Sequence, residues 1–243
     1  MPKLEYGLAF DTQCDANGKI PVIVVAAGSS VRMQGVSKQF VTLCGVPAIV
    51  HTLLAFENST QISRIILVTK EEYINDIQLL AEKYMISKLS DIVKGGNTRQ
   101  DSVNCGLSRL ADENYVLIHD GARPLVDNGV ITRVCNALGT ADGVICAVKV
   151  KDTIKRVLPD NTVAETLPRD ALYSVQTPQG VNVKKYRDAV SKADLSCFTD
   201  DASVLEAAGY SVKIVEGDYR NIKITTPDDI GVAEYYLEKR EEI

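Results

Sequence analysis

Pro21-Val22-Ile23-Val24-Val25-Ala26 is a continuous apolar run with no polar residue alternating through it. A strand with one face in water would alternate, so this one reads as buried on both faces, as in a parallel sheet covered by helices. Runs of the same kind recur at Arg64-Ile65-Ile66-Leu67-Val68, Tyr115-Val116-Leu117-Ile118 and Gly143-Val144-Ile145-Cys146-Ala147-Val148. Between them the apolar spacing changes to that of a helix. Ile74, Ile77, Ala81 and Tyr84 share one helical face, and Ile230, Ala233 and Leu237 share another. Strand–helix alternation predicts an α/β domain with a doubly wound, mostly parallel sheet.

One segment interrupts the alternation. Between Asp152 and Tyr173 lie two short strand-like pieces, 153–157 and 162–166, joined by the turn residues Pro159-Asp160-Asn161. They predict a hairpin arm spanning about 151–173. A lone two-stranded hairpin is marginal in water, so the arm is expected to pack on a second subunit. Residues 1–19 read as an N-terminal appendage, with Leu4 to Phe10 able to add an edge strand, and residues 20–243 as a single domain.

Composition narrows the functions. The chain has 243 residues, of which 45% are hydrophobic and 24% charged, which excludes disorder and a disulfide mini-scaffold. Lysine and arginine number 27 against 32 acids, for a formal charge of −5, so a broad basic nucleic-acid footprint is absent. Anionic ligands must then be held by local clusters of cations. The six cysteines form no C-x-x-C pair and there are only two histidines, which argues against a Cys/His zinc site. Met1 to Lys19 has no apolar stretch of signal-peptide length, and no run approaches a membrane span, so a cytoplasmic location is expected.

Ligands of open α/β sheets bind at the carboxyl ends of the strands. After the first strand come Ala26-Ala27-Gly28-Ser29-Ser30, whose small residues admit a close backbone approach to an anion, and then Arg32 and Lys38. Neither a Walker A loop nor a dinucleotide fingerprint is present. Gly95-Gly96-Asn97-Thr98-Arg99-Gln100-Asp101-Ser102 turns into a helix, with Asn97 as the expected N-cap and Arg99 and Ser102 on one face. Asp120 directly follows an apolar strand, where it could hold a sugar hydroxyl or Mg²⁺. His119 reads as structural, and Arg123 as a partner of Asp120 or of a phosphate. Gln176-Thr177-Pro178-Gln179 follows further on. Asp200 and Asp201 suit the first turn of a helix. Lys223, between Ile222 and Ile224, is expected in a short strand pointing into a cleft.

The set is rich in cations, glycines and hydroxyls and lacks a Ser-His-Asp or Cys-His arrangement. A nucleophile that is already ionised needs no general base. A phosphate monoester carries about −1.5 to −2 charges at pH 7. Its attack on a nucleotide α-phosphate needs positioning and charge cancellation, from cations and Mg²⁺.

Together these segments resemble the 2-C-methyl-D-erythritol 4-phosphate cytidylyltransferase family of the non-mevalonate isoprenoid pathway, from about Ile20 to Lys239. The resemblance rests on Ala26-Ala27-Gly28 with Arg32-Met33, Lys38-Gln39-Phe40, Gly95-Gly96 with Arg99 and Asp101-Ser102-Val103, His119-Asp120, and Ala122-Arg123-Pro124. It continues through Lys151-Asp152-Thr153, Thr177-Pro178-Gln179 and Asn221-Ile222-Lys223. It implies a Rossmann-like nucleotidyltransferase fold that joins CTP to a polyol phosphate, releasing pyrophosphate, with Mg²⁺ or another divalent cation. It also implies roles. Arg32 and Lys38 would stabilise the pentacoordinate phosphorus and the leaving group. Ala26, Ala27, Gly28 and Ser29 would line the nucleotide. Gly95, Gly96 and Ser102 would read cytosine, with Arg99 supporting their loop. Asp120, Arg123, Thr177 and Lys223 would take the acceptor, joined by Thr153 and Arg169 from the arm of the other subunit of a homodimer. Two other readings stay open on the sequence: a cytidylyltransferase for another polyol phosphate such as ribitol 5-phosphate, and a nucleotide-binding module without catalysis.

Overall fold

The computed structural model describes residues 18–28, 39–192, 198 and 200–241. The expectations for Leu4–Phe10, Ser29, Arg32 and Lys38 fall outside those residues. Strand β1 (Ile20–Val25) pairs in parallel with β4 (Ile62–Thr69) on one side and β6 (Tyr115–Asp120) on the other. Strand β5 (Leu89–Lys94) extends the sheet beyond β4. Beyond β6 come β10 (Tyr173–Asn182), β7 (Gly143–Lys149) and β11 (Val212–Glu216), giving the order β11-β7-β10-β6-β1-β4-β5. Only β10 runs against the others. The doubly wound, mostly parallel sheet expected from the apolar runs is therefore present.

The reason for those runs is visible in the layers. Val22, Val24 and Ala26 face one helical layer, where α1 (Ala48–Glu57) supplies Ile49, Leu53 and Phe56. The same layer holds α2 (Ile74–Lys83) and α4 (Asn128–Ala137), with Ile77, Val130 and Val134 buried. Ile23 and Ile66 face the opposite layer, built from α3 (Arg99–Leu107), α5 (Val183–Lys192) and α6 (Asp201–Ala207). Successive side chains of a strand thus enter two different cores, so the runs are apolar on both faces. Burying each large apolar side chain contributes about 1.5–3 kcal/mol.

A smaller third cluster joins Leu43, Leu125 and Ile224 to Ala233 of α7 (Asp228–Glu241). The short ribbon of β2 (Thr42–Leu43) and β3 (Val46–Pro47) lies there. Its packing brings the segment around Ile222 and Ile224 against the body of the domain.

Strand β10 was not anticipated, because Tyr-Ser-Val-Gln-Thr-Pro-Gln-Gly-Val-Asn has few apolar residues and contains a proline. The register with β7 shifts between Val175 and Gln179, so Pro178 sits where the ladder is already interrupted. Polar residues there are satisfied locally. Gln176 donates Nε2 to the Asp218 carbonyl at 2.8 Å and accepts from its N–H at 3.2 Å.

The arm consists of β8 (Lys155–Val157) and β9 (Val163–Thr166), paired antiparallel with Lys155 opposite Thr166. Asn161 takes a positive φ of 64° in its turn. Every residue of both strands is exposed. A second correction concerns Lys223: residues 221–225 form no strand. They run irregularly, held by the Ile224 N–H donating to the Ala122 carbonyl at 2.8 Å.

Candidate active site

The chain departs from β1 in opposite directions, toward β4 and β5 on one side and β6 on the other, so a crevice opens at the carboxyl ends of β1 and β6. Two adjoining cavities occupy it. The first has a volume of about 510 Å³ and is floored by Ala26, Ala27 and Gly28 after β1 and by Gly96, Asn97 and Thr98 before α3. The second, of about 400 Å³, is lined by Arg123, Gln176, Thr177 and Asp200 among others. Arg99, Asp120 and Lys223 border both.

The backbone floor is held from below. Gln39, only 2% exposed, donates its side-chain amide to the Ala26 carbonyl, a role that its sequence position does not disclose. A side chain at Gly28 would meet no atom of the described residues within 4 Å. Gly95 is the opposite case: a Cβ there would lie 2.8 Å from Ser102 Oγ and closer still to the Ala27 side chain. Its missing side chain lets the two floor loops touch.

Helix α3 is capped by Thr98 and not by Asn97, as the sequence had suggested. Thr98 Oγ1 accepts from the Asp101 N–H and Asp101 Oδ2 accepts from the Thr98 N–H, both at 3.0 Å, in a complete capping box. Ser102 Oγ accepts from the Gly96 N–H at 3.2 Å and donates to the Thr98 carbonyl at 3.0 Å. Its hydroxyl therefore shapes the loop while lining the cavity.

Arg99 occupies the first residue of α3, where the helix dipole disfavours a cation. Two carboxylates hold it there. Its Nη1 and Nη2 donate to Asp201 at 3.0 and 2.7 Å, and its Nε donates to Asp120 Oδ1 at 3.2 Å. Burial works against the charge, but Asp201 and Asp120 overcome it and hold the guanidinium above its ordinary range.

Asp120 is 8% exposed. Burial alone would raise its pKa, but Arg99, Lys223 and Arg123 hold it well below the usual carboxylate range. Lys223 Nζ donates to Oδ2 at 2.6 Å, and Arg123 Nε lies 3.9 Å from the same oxygen. Arg123 spends Nη1 on the Asn221 carbonyl at 2.8 Å, which ties the Lys223 segment to β6.

A carboxylate so surrounded by cations does not fit a resident metal ion. Among the described residues no group of three or more His, Cys, Asp or Glu side chains converges. The expectation of Asp120 as a metal ligand gains no support from this arrangement.

His119 is completely buried and hydrogen-bonded on both nitrogens, to Thr177 Oγ1 at 3.0 Å and the Arg123 carbonyl at 3.3 Å. The Arg123 carbonyl can only accept, so Nε2 carries the ring proton, and Thr177 Oγ1, which accepts from the Asp120 N–H at 3.0 Å, donates to His119 Nδ1. The His119 ring is structural, as expected. Thr177 borders the second cavity, yet its hydroxyl is committed to this chain.

Thr153 and Arg169 border neither cavity. Both are exposed at the root of the arm, where Arg169 Nη1 donates to the Lys151 carbonyl at 3.0 Å. Asp201 was read only as an acid of a helix's first turn. It is in the first turn of α6, but the structure also buries it completely against Arg99, and Asp200 takes the N-cap, accepting from the Ser203 N–H at 3.1 Å. Lys70, at the end of β4, adds an unanticipated cation to the first cavity.

Known proteins resemble this chain in sequence and fold. The family model for 2-C-methyl-D-erythritol 4-phosphate cytidylyltransferase matches residues 20–239. The enzyme of that name from Bacillus mycoides (strain KBAB4) is 46% identical over 219 residues, covering 89% of this chain and 96% of the relative. That from Dehalococcoides mccartyi (strain ATCC BAA-2266 / KCTC 15142 / 195) is 43% identical over 223 residues, covering 92% and 98%. The crystal structure of 4-diphosphocytidyl-2C-methyl-D-erythritol synthase from Anaerococcus prevotii DSM 20548 superposes with a TM-score of 0.81 at 34% identity, covering 92% of this chain and 97% of that one. With the family model spanning nearly the whole domain, the chain belongs to the 2-C-methyl-D-erythritol 4-phosphate cytidylyltransferase family.

Proposed function

We propose that this enzyme transfers CMP from CTP to 2-C-methyl-D-erythritol 4-phosphate, giving the CDP-alcohol and pyrophosphate for isoprenoid precursor synthesis. The observation that carries the reading is the pair of adjoining cavities divided by Lys223, Asp120 and Arg99. The first has a backbone floor suited to a nucleotide, with Ala26 to Gly28 beneath the triphosphate and the loop of Gly95 and Gly96 beside the base. The second meets it at a cation–carboxylate–cation wall suited to a polyol phosphate. Lys223 would take the acceptor phosphate and Asp120 its hydroxyls.

An oxygen of the acceptor phosphate attacks the α-phosphorus, and the bond from that phosphorus to the bridging oxygen of the β-phosphate breaks. The electron pair leaves with pyrophosphate. No proton need be removed, because the nucleophile is already an anion. The only histidine beside the site fits this economy: burial pushes it down to about 3, and both its nitrogens are engaged. Arg32 and Lys38 would balance the charge that develops on the transferring phosphorus and on the leaving group. A divalent cation would enter with the triphosphate as part of the substrate, since the protein offers no donor cluster among its described residues.

The active form is proposed to be a homodimer. The hairpin places Val157, Leu158 and Val163 at 50%, 44% and 53% exposure, more apolar surface than an isolated ribbon keeps in water. Thr153 and Arg169 border neither of the two cavities of their own protomer and would complete the acceptor site of the other. No helix among the described residues is long and apolar enough to cross a membrane, and Cys44, Cys105, Cys135 and Cys146 form no disulfide. Both support action in the cytoplasm.

The test is pyrophosphate release with CTP, Mg²⁺ and either methylerythritol phosphate or ribitol 5-phosphate. Release with the first acceptor is expected. Release with ribitol 5-phosphate alone would reassign the acceptor, and release with neither would leave only nucleotide binding.

A further inference from the structure

Asp201 is a fully buried carboxylate with no place in the chemistry above, and the whole of its surroundings is arranged to fix its orientation. It is 0% exposed. Its two oxygens take both terminal nitrogens of Arg99, at 3.0 and 2.7 Å, in the fork-to-fork geometry that makes such pairs strong and directional. Oδ1 also accepts from the Tyr186 hydroxyl at 2.9 Å, and that hydroxyl in turn accepts from Gln100 Nε2 at 2.8 Å. Burial and the Asp201 charge raise the Tyr186 pKa well above its ordinary value, so the hydroxyl remains a donor. From the backbone side, the Asp201 and Ala202 N–H groups both donate to Gln179 Oε1, at 3.1 and 3.0 Å.

We propose that Asp201 is a positioning residue for the acceptor half of the reaction: by engaging both terminal nitrogens of Arg99 it limits Arg99 to a single Nε contact with Asp120, which keeps the Asp120 carboxylate directed with Lys223 at the wall between the cavities. The inference rests on the acceptor assignment made above. Arg99 has five N–H donors and a flat fork that prefers two parallel bonds to one carboxylate. With Asp201 neutralised, Asp120 is the carboxylate that Arg99 still contacts. Arg99 then turns to pair with it through two bonds and draws the carboxylate away from Lys223. The nucleotide side should be spared. The loop before α3 is held independently, by the Thr98–Asp101 capping box and by Ser102 on Gly96 and Thr98.

A mere staple between α3 and α6 predicts something different. Its loss would lower stability and would not separate the two substrates. Asp201→Asn keeps the shape and removes the charge. Tyr186→Phe removes the bond that orients the carboxylate and leaves the charge in place. For each variant the KM for methylerythritol phosphate and the KM for CTP are measured well below its thermal midpoint. The acceptor KM should rise about 10-fold in Asp201→Asn, the lower end of what losing a supporting partner of a ligand-holding side chain costs in metal sites. A smaller rise should appear in Tyr186→Phe, with the CTP KM staying within about twofold in both, because the capping box is untouched. Equal rises in the two KM values, or no rise in either, overturn the proposal. Should Asp201→Asn fail to fold, Tyr186→Phe decides alone by the same split. Absence of pyrophosphate release by the unmodified enzyme would instead overturn the acceptor assignment on which the inference rests.

Discussion

His119 and Asp120 are neighbours in one buried strand, and both are pushed to lower pKa for opposite reasons. Burial, with the Arg123 and Lys223 charges adding to it, disfavours the imidazolium and takes His119 down from 6.5 to about 3. Burial would raise Asp120, but the cations of Arg99, Lys223 and Arg123 overrule it. The histidine has a consequence for stability. Between about pH 6.5 and its folded value the unfolded chain binds a proton there that the folded chain refuses, so stability rises with pH across that window. It is fully present above it and lost on acidification at up to about 1.4 kcal/mol per pH unit. Urea unfolding between about pH 7 and pH 5 should show this slope, flattened in His119→Gln. An unchanged slope in the variant would assign the acid sensitivity elsewhere. At this scale the sequence discloses the residues whose position follows from one element. Asp120 was legible because it directly ends an apolar run. Asp201 was not, since its partner Arg99 lies 102 residues away and only the helical layer that α3, α5 and α6 share brings them together. As one of two acids opening a helix, it carried no mark of burial.

Among the elements, the loop between β5 and α3 shows how backbone shape makes a binding surface. Gly95 donates its N–H to the Thr69 carbonyl at 2.8 Å and leaves no room for a Cβ between Ala27 and Ser102. Gly95→Ala should therefore force the two floor loops of the first cavity apart. It is expected to cost about 1–3 kcal/mol, as overpacking does, and to raise the KM for CTP more than that for the acceptor. Gly231→Ala is the matched control. Gly231 lies inside α7, and among the described residues an added Cβ meets nothing within 4 Å beyond its own helix backbone and chain neighbours. That substitution should stabilise by about 0.5–1 kcal/mol through helix propensity and leave both KM values alone. Equal kinetics in the two variants would show that the loop contact does not shape the nucleotide site. The elements also mark where pattern reading stops. The buried parallel strands and the one-sided helices followed from apolar spacing, because each spacing has a single physical use. Strand β10 did not, because its polar side chains are satisfied by loop backbone and by helix α6. Gln176 pairs with Asp218, and Gln179 accepts from the first turn of α6. Lys223 was expected in a strand on the strength of its two isoleucine neighbours. Ile224 instead is buried in the cluster that α7 shares with Leu43, with Ile222 packed against it, and the lysine still reaches Asp120.

For the whole molecule, the question is whether one chain contains a complete site. The sheet reversal beside β1 explains where the cavities lie, and the wall of Arg99, Asp120 and Lys223 comes from three separate parts of the chain. The arm is different. It carries Thr153 and Arg169 away from both cavities and leaves every residue of its two strands exposed. If the arm completes the site of a second copy, the two sites of a symmetric dimer each combine the body of one chain with the arm of the other. This makes a mixing experiment decisive. On the proposed roles, Lys38→Ala would disable the body and Arg169→Ala the arm, so each homodimer alone should be nearly inactive. When equal amounts are dissociated and reassociated, half of the dimers should contain one of each. In each mixed dimer one site joins the intact body of the Arg169→Ala chain to the intact arm of the Lys38→Ala chain, while the other site carries both lesions. Activity should therefore recover to about a quarter of the unmodified enzyme's, a value fixed by two-fold symmetry. If Arg169 served its own chain, every site in the mixture would keep one lesion, and no recovery would follow at any mixing ratio.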